Sequence, residues 1–222
     1  MPGKFITFEG GEGVGKSTQI QRLAERLRQR GIDVTVTREP GGSEKAEQIR
    51  KFILSGKARP LGAEGEAILF ASARLDHLEK TIRPALEKGE WVLCDRFADS
   101  TRAYQGADGV GGAMLDVLER VTLDGLKPDL TLLIDLAANE GLARARARAG
   151  EAEGPDRFES DNLARHRQRR EAFLDLAKRE PDRIVKINGG ASVDKVAEEI
   201  WSVVSERFDL GGVDRVPDRA DQ

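Results

Sequence analysis

This sequence is that of an α/β protein, a doubly wound five-stranded parallel sheet flanked by helices. Two observations carry the expectation. Five short β-rich runs alternate with longer stretches of helical period, as strands do when crossover helices cover both faces of a sheet. The first run also leads directly into a glycine-rich turn and then a helical period, and open parallel sheets build their ligand-binding edge where strands pass into helices.

The expected strands are residues 4–9, 34–37, 91–95, 130–136 and 184–187. Between the first two, Ile20, Leu23, Ala24 and Leu27 recur at helical spacing, and Gly31 closes the segment as a C-terminal glycine. Ile68, Ala71, Leu75, Leu78 and Ile82 mark a long helix before the third strand, with Pro84 near its end. Four glycines in the seven residues 106–112 read as a loop between a short helix and one carrying Met114, Leu118 and Val121. Residues 150–156 are polar, contain glycine and proline, and lie between two arginine-rich helices, which reads as a mobile flap. Val193, Val196, Ile200, Val203 and Val204 mark the last helix. The expected organisation is one domain over residues 1–208, with a lid at about 144–160, and a polar, frayed tail over 209–222.

Composition narrows the function. The chain has 222 residues, enough for one sizeable core, and 36 basic against 39 acidic side chains leave a formal charge of −3. That balance argues against polyanion binding by bulk charge, and no aromatic interleaving supports a nucleic-acid surface. No run approaches the ~20 apolar residues of a membrane span. The one cysteine, Cys94, excludes an internal disulfide and fits a reducing, cytoplasmic setting. Two histidines, His77 and His166, leave little material for histidine-based catalysis.

The segment Gly10-Gly-Glu-Gly-Val-Gly15-Lys16-Ser17 matches G-x-x-x-x-G-K-[ST] after a β run and before a helical period, the context that motif needs. Its glycines let backbone N–H groups turn inward around phosphate oxygens, and the following helix N-terminus adds positive potential. Lys16 is expected to reach the β and γ phosphates and Ser17 to bind Mg²⁺. The third strand ends in Asp95-Arg96, which puts an acid able to hold Mg²⁺ through water and a base able to bridge two phosphates at the same edge. Between residues 144 and 170 eight arginines face five acids; those at the flap suit a cation closing on the transferring group, whereas Arg165 to Arg170 read as a solvated helix face. A phosphate acceptor, already ionised, wants this positive charge rather than a base. These features alone leave open a nucleotide kinase, a nucleoside kinase and an ATP-dependent switch.

Four ordered blocks decide between them by resemblance. They are Phe8-Glu-Gly-Gly-Glu-Gly-Val-Gly-Lys-Ser17, Thr37-Arg-Glu-Pro-Gly-Gly42, Phe70-Ala-Ser-Ala-Arg74 and Asp95-Arg-Phe-Ala-Asp-Ser-Thr-Arg-Ala-Tyr-Gln-Gly106. Through them the chain resembles the bacterial thymidylate kinases from Phe5 to Phe208. The resemblance implies a P-loop nucleotide kinase with a small lid, phosphorylating dTMP to dTDP with ATP and Mg²⁺ in dTTP biosynthesis, typically as a homodimer. It implies that Glu12 accepts the sugar 3′-hydroxyl, Phe70 stacks on thymine, Arg74 reads a thymine carbonyl and Thr101 lies at the pyrimidine edge. Tyr104 would pack under the sugar, Gln105 border base or sugar, Arg38 and Pro40 line the monophosphate side, and Arg96 bind the acceptor phosphate. On the ATP side it implies Gly10, Gly11, Glu12, Gly13, Val14, Gly15, Lys16, Ser17, Thr18 and Arg144. A phosphate loop without arginine beside an arginine-rich flap is similar to the subtype whose catalytic arginine comes from the lid, with Arg157 first and Arg148 second for that role. Asn188-Gly-Gly-Ala191 departs from the family's usual segment near the adenine.

Overall fold

The computed structural model describes residues 2–149, 158 and 161–211. Its strands are β1 (Phe5–Glu9), β2 (Val34–Arg38), β3 (Trp91–Asp95), β4 (Leu130–Asp135) and β5 (Ile184–Asn188), each within a residue or so of expectation. All pair in parallel, in the order β2-β3-β1-β4-β5. The helices are α1 (Lys16–Arg28), α2 (Glu44–Leu54), α3 (Gly62–His77), α4 (Arg83–Glu87), α5 (Ala98–Ala107), α6 (Gly112–Leu123), α7 (Ala138–Ala149), α8 (Leu163–Arg179) and α9 (Val193–Arg207).

The period-two alternation of the strands sorts the core into two layers. Ile6 and Phe8, Trp91 and Leu93, and Leu130, Leu132 and Ile134 face α1 and α9, with Ile20, Leu27, Ile200 and Val204. Phe5, Val92 and Cys94 face the opposite way, against Leu78, Ile82 and Phe97. Burial pushes the Cys94 thiol pKa well up, so the lone cysteine is a core residue. On this second face a polar seam crosses the sheet: the Thr7 and Thr131 hydroxyls meet at 2.7 Å, and Arg183 holds both oxygens of Asp99 at 2.7 and 2.9 Å.

The helix expected through Ile68 and Ile82 is present, but with a different face and a break. α3 passes at Leu78 into one π-helical turn, Leu78–Ile82, before α4. Ala71, Leu78 and Ile82 are buried, whereas Ile68 and Leu75 are 48% and 45% exposed. Those two lie seven residues apart on an outer stripe that regular helical spacing alone does not distinguish from the inner one. Most of the expected lid, including Arg157, and residues 212–222 of the tail lie outside the described residues, as does the side chain of Arg148. Among the described residues, no helix is long and apolar enough to cross a membrane.

Candidate active site

The central strands β1 and β3 both end at the carboxyl edge of the sheet, where chain order reverses and open α/β sheets form their clefts. A cleft of about 260 Å³ opens there. It is lined from the loop after β1 by Glu12, Gly13, Val14, Gly15, Lys16 and Ser17, and from the end of β3 by Asp95 and Arg96. Arg38 and Pro40 follow β2, Phe70 and Arg74 come from α3, and Thr101, Tyr104 and Gln105 come from α5. Gly10, Gly11, Thr18 and Arg144 stand outside this lining: the two glycines lie behind Lys16, Thr18 is exposed on α1, and Arg144 Nη1 donates to Gly189 O at 3.0 Å.

The glycine-rich loop is shaped by backbone conformations that side chains rarely adopt. Gly15, at φ 98°, sits in the left-handed region immediately before α1, whose first turn receives no side-chain cap. A Cβ on Gly13 would fall 2.0 Å from Gly141 O, and one on Gly141 would fall 2.4 Å from Glu12 O, so the loop rests backbone to backbone on the first turn of α7. Lys16 Nζ donates to Gly11 O at 2.9 Å and Gly10 O at 3.3 Å. Burial, and then the Arg96 charge, push its pKa down.

Glu12 is the electrostatic centre. Its Oε1 accepts from Arg96 Nη2 at 2.8 Å and from the Tyr104 hydroxyl at 2.6 Å. Burial opposes its ionisation, but the Arg96 and Lys16 charges and the Tyr104 bond outweigh that and bring it down to about 2. Tyr104 responds oppositely: burial pushes its phenol up, and it stays a donor. Arg96 has φ 68°, a costly conformation for a non-glycine residue. The surroundings hold it there: its N–H donates to Phe8 O at 2.9 Å, and Nη1 donates to Gly10 O at 3.1 Å and Ser100 Oγ at 3.2 Å.

Glu9, which the sequence reading did not single out, locks the next residues. Its Oε1 accepts from the N–H groups of Phe97 at 2.7 Å and Ser100 at 3.2 Å, and its Oε2 meets Ser100 Oγ at 2.6 Å. The end of β1 thereby caps the start of α5. Burial, and secondly Asp99, push Glu9 up to about 8. Across the loop, Ser17 Oγ donates to Asp95 Oδ2 at 2.8 Å, bringing two side-chain oxygens together at the start of α1.

At the other end of the cleft Arg74 is 4% exposed, and its Nε donates to Glu39 Oε2 at 2.8 Å and its Nη2 to Thr101 Oγ1 at 3.0 Å. Gln105 is 1% exposed and, among the described residues, its Nε2 finds no hydrogen-bond partner. A buried amide donor lining a cleft without a partner is a feature a polar ligand would satisfy. Phe158 completes the wall, 5.5 Å from the Tyr104 ring and 6.2 Å from Phe70.

The sequence model of the thymidylate kinases matches residues 8–200, which takes in every block that converges on this cleft. The chain belongs to the thymidylate kinase family. It is 53% identical over 207 residues to the thymidylate kinase of Bradyrhizobium sp. (strain ORS 278), covering 93% of this chain and 91% of that one. It is 55% identical over 208 residues to the thymidylate kinase of Rhodopseudomonas palustris (strain BisB18), covering 93% and 90%. Within this thymidylate kinase family chain, Arg169 corrects the reading of residues 165–170 as a solvated face. It is 1% exposed, pairs with Asp161 at 2.5 Å and lies 4.4 Å from the Tyr104 ring centroid. Helical spacing marks Arg169 no differently from Arg165; of the two rings that cover it, Tyr104 comes from α5, far away in sequence, and Phe158 from the segment before α8.

Proposed function

We propose that this chain transfers the γ-phosphoryl group of ATP to the 5′-phosphate of dTMP, giving ADP and dTDP. The observation that carries the reading is the meeting of Lys16, Glu12, Arg96 and Tyr104 where the phosphate loop joins the aromatic-walled cleft. The acceptor oxygen is ionised at neutral pH, so the site's work is alignment and charge stabilisation, which the buried Lys16 and the half-buried Arg96 supply. Lys16 contacts the β and γ phosphates, with the loop's backbone N–H groups around them. Arg96 contacts the acceptor phosphate, and Arg157 or Arg148 closes from the lid at about 144–160. Thr18 and Arg144 belong to the ATP side, and Arg38 and Pro40 to the monophosphate side. Glu12, an ionised acceptor, takes the 3′-hydroxyl, and Tyr104 crowds the position of a ribose 2′-hydroxyl. Phe70 stacks on thymine, while Arg74, Thr101 and Gln105 read its edge.

Ser17 and Asp95 fit Mg²⁺, since both offer oxygen and this ion takes few protein ligands beside waters and phosphate oxygens. When bound, it neutralises charge on the transferring group. The reading extends to a cytoplasmic homodimer. The exposed stripe of Ile68 and Leu75 on α3, with Val117 and Val121 at 47% and 65% exposure on the adjoining α6, supports a second copy as its cover. Residues 1–208 then act as one kinase domain and 209–222 as a tail.

The test is ADP release from Mg·ATP with no acceptor, thymidine, dTMP, dUMP or the other nucleoside monophosphates. Selective stimulation by dTMP is expected, and Lys16→Ala or Arg96→Ala should lower turnover by about 10²-fold or more. Stimulation by thymidine alone, or by nothing, would overturn the reading.

A further inference from the structure

His77 lies three residues beyond Arg74 on α3, so the two side chains leave the helix from one face. That face meets the end of β2. His77 is 0% exposed, Arg74 4% and Glu39 5%. The Glu39 carboxylate lies between them: Oε2 accepts from Arg74 Nε at 2.8 Å, and Oε1 is 3.2 Å from His77 Nδ1. A carboxylate only accepts, so Nδ1 carries a proton, and a neutral ring then accepts at Nε2 from Thr37 Oγ1, 2.7 Å away. The backbone makes room for this ring. A Cβ at Gly42, whose φ is 81°, would fall 2.3 Å from His77 Nε2 and 2.4 Å from Thr37 Oγ1.

The arrangement has a mechanical consequence. Held through Oε2 alone, the Glu39 carboxylate could turn about its terminal torsion and carry the Arg74 guanidinium with it. A bond at Oε1 fixes the carboxylate plane, and Glu39 N, donating to Asp95 O at 2.9 Å, fixes its base to β3. With Nε on Glu39 and Nη2 on Thr101, Arg74, which lines the cleft, has its remaining N–H groups without a further hydrogen-bond partner among the described residues.

We propose that His77 is a positioning residue for the acceptor base: through Glu39 it sets the plane in which Arg74 meets that base. The proposal rests on the reading of Arg74 given under Proposed function. The full chain is assayed by steady-state kinetics with dTMP and ATP varied separately. His77→Gln keeps the polar atom near Thr37 but removes the donor to Glu39, and it should raise the dTMP KM about tenfold, the effect of one buried charge-assisted hydrogen bond. The KM for ATP and kcat should stay within about threefold. His77→Asn places its amide near the Nδ1 position and should restore the dTMP KM to within about threefold of wild type. In an Arg74→Ala background His77→Gln should add nothing, because coupled residues are not additive. The proposal is overturned if Gln and Asn rank the other way, if the penalties of His77→Gln and Arg74→Ala add, or if dTMP and ATP parameters fall together. If Arg74→Ala leaves the dTMP KM unchanged, the assignment of Arg74 falls instead, and the two failures are told apart.

Discussion

Replacing Glu12 by Gln removes one negative charge from the centre of the site while keeping its size and one acceptor oxygen. The Glu12 side chain is 15% exposed, and its carboxyl is held at about 2 against an ordinary value of 4.5. At about 1.4 kcal/mol per pH unit, that difference is roughly 3 kcal/mol of folded-state stabilisation at neutral pH. The Gln oxygen can still accept from Tyr104 and Arg96, so the expected loss is about 2–3 kcal/mol. Because the folded value is the lower one, the contribution is complete above about 4.5 and disappears as pH falls through about 2. Urea unfolding of wild type and variant should therefore show a constant gap from about pH 8 to 5 and converge below that. Equal stability at pH 7, or a gap that widens on acidification, would refute the reasoning.

Three other outcomes are expected. Glu9, held up to about 8, makes wild-type stability fall as pH rises from about 4.5 to 8, so Glu9→Gln should flatten that slope in the same unfolding experiments. Gly141→Ala places a Cβ 2.4 Å from Glu12 O and must displace the phosphate loop; a loss of about 1–3 kcal/mol and a raised ATP KM are expected, and unchanged ATP binding by calorimetry would contradict this. Arg169→Ala leaves Asp161 to its longer, 3.8 Å pairing with Arg165 and strips the Tyr104 and Phe158 rings of cover, so it should cost about 2–3 kcal/mol, with Arg169→Met costing less; denaturant midpoints decide it.

Local signals and long-range ones were not equally readable in the sequence. The strands, the Gly10 to Ser17 loop and the Asp95-Arg96 pair were legible because their meaning lies in adjacent residues: a period, a turn, a helix start. Glu9, Glu39 and His77 were not, since each acts through a partner brought close only by sheet and helix packing, 88, 35 and 40 residues away in the bonds to Phe97, Arg74 and Thr37. Arg169 was misread for the related reason that a run of arginines on a helix does not say which of them turns inward. Ile68 and Leu75 show the opposite limit, for apolar periodicity identifies a helix but not how many of its faces are covered.

Strand position divides the cleft into halves of unequal steadiness. β1 and β3, which feed the phosphate loop and Asp95-Arg96, are bonded on both sides, whereas β2, which feeds Arg38 to Gly42, lies at the sheet's edge. Backbone amides of an edge strand open by local fluctuation, while those between two neighbours exchange only when much of the domain unfolds. Mild denaturant should thus release deuterium protection first around β2 and last along β1. The triphosphate cradle would outlast the surface that recognises the acceptor, and a warmed or partly destabilised enzyme would go on holding ATP after it had lost its choice of substrate.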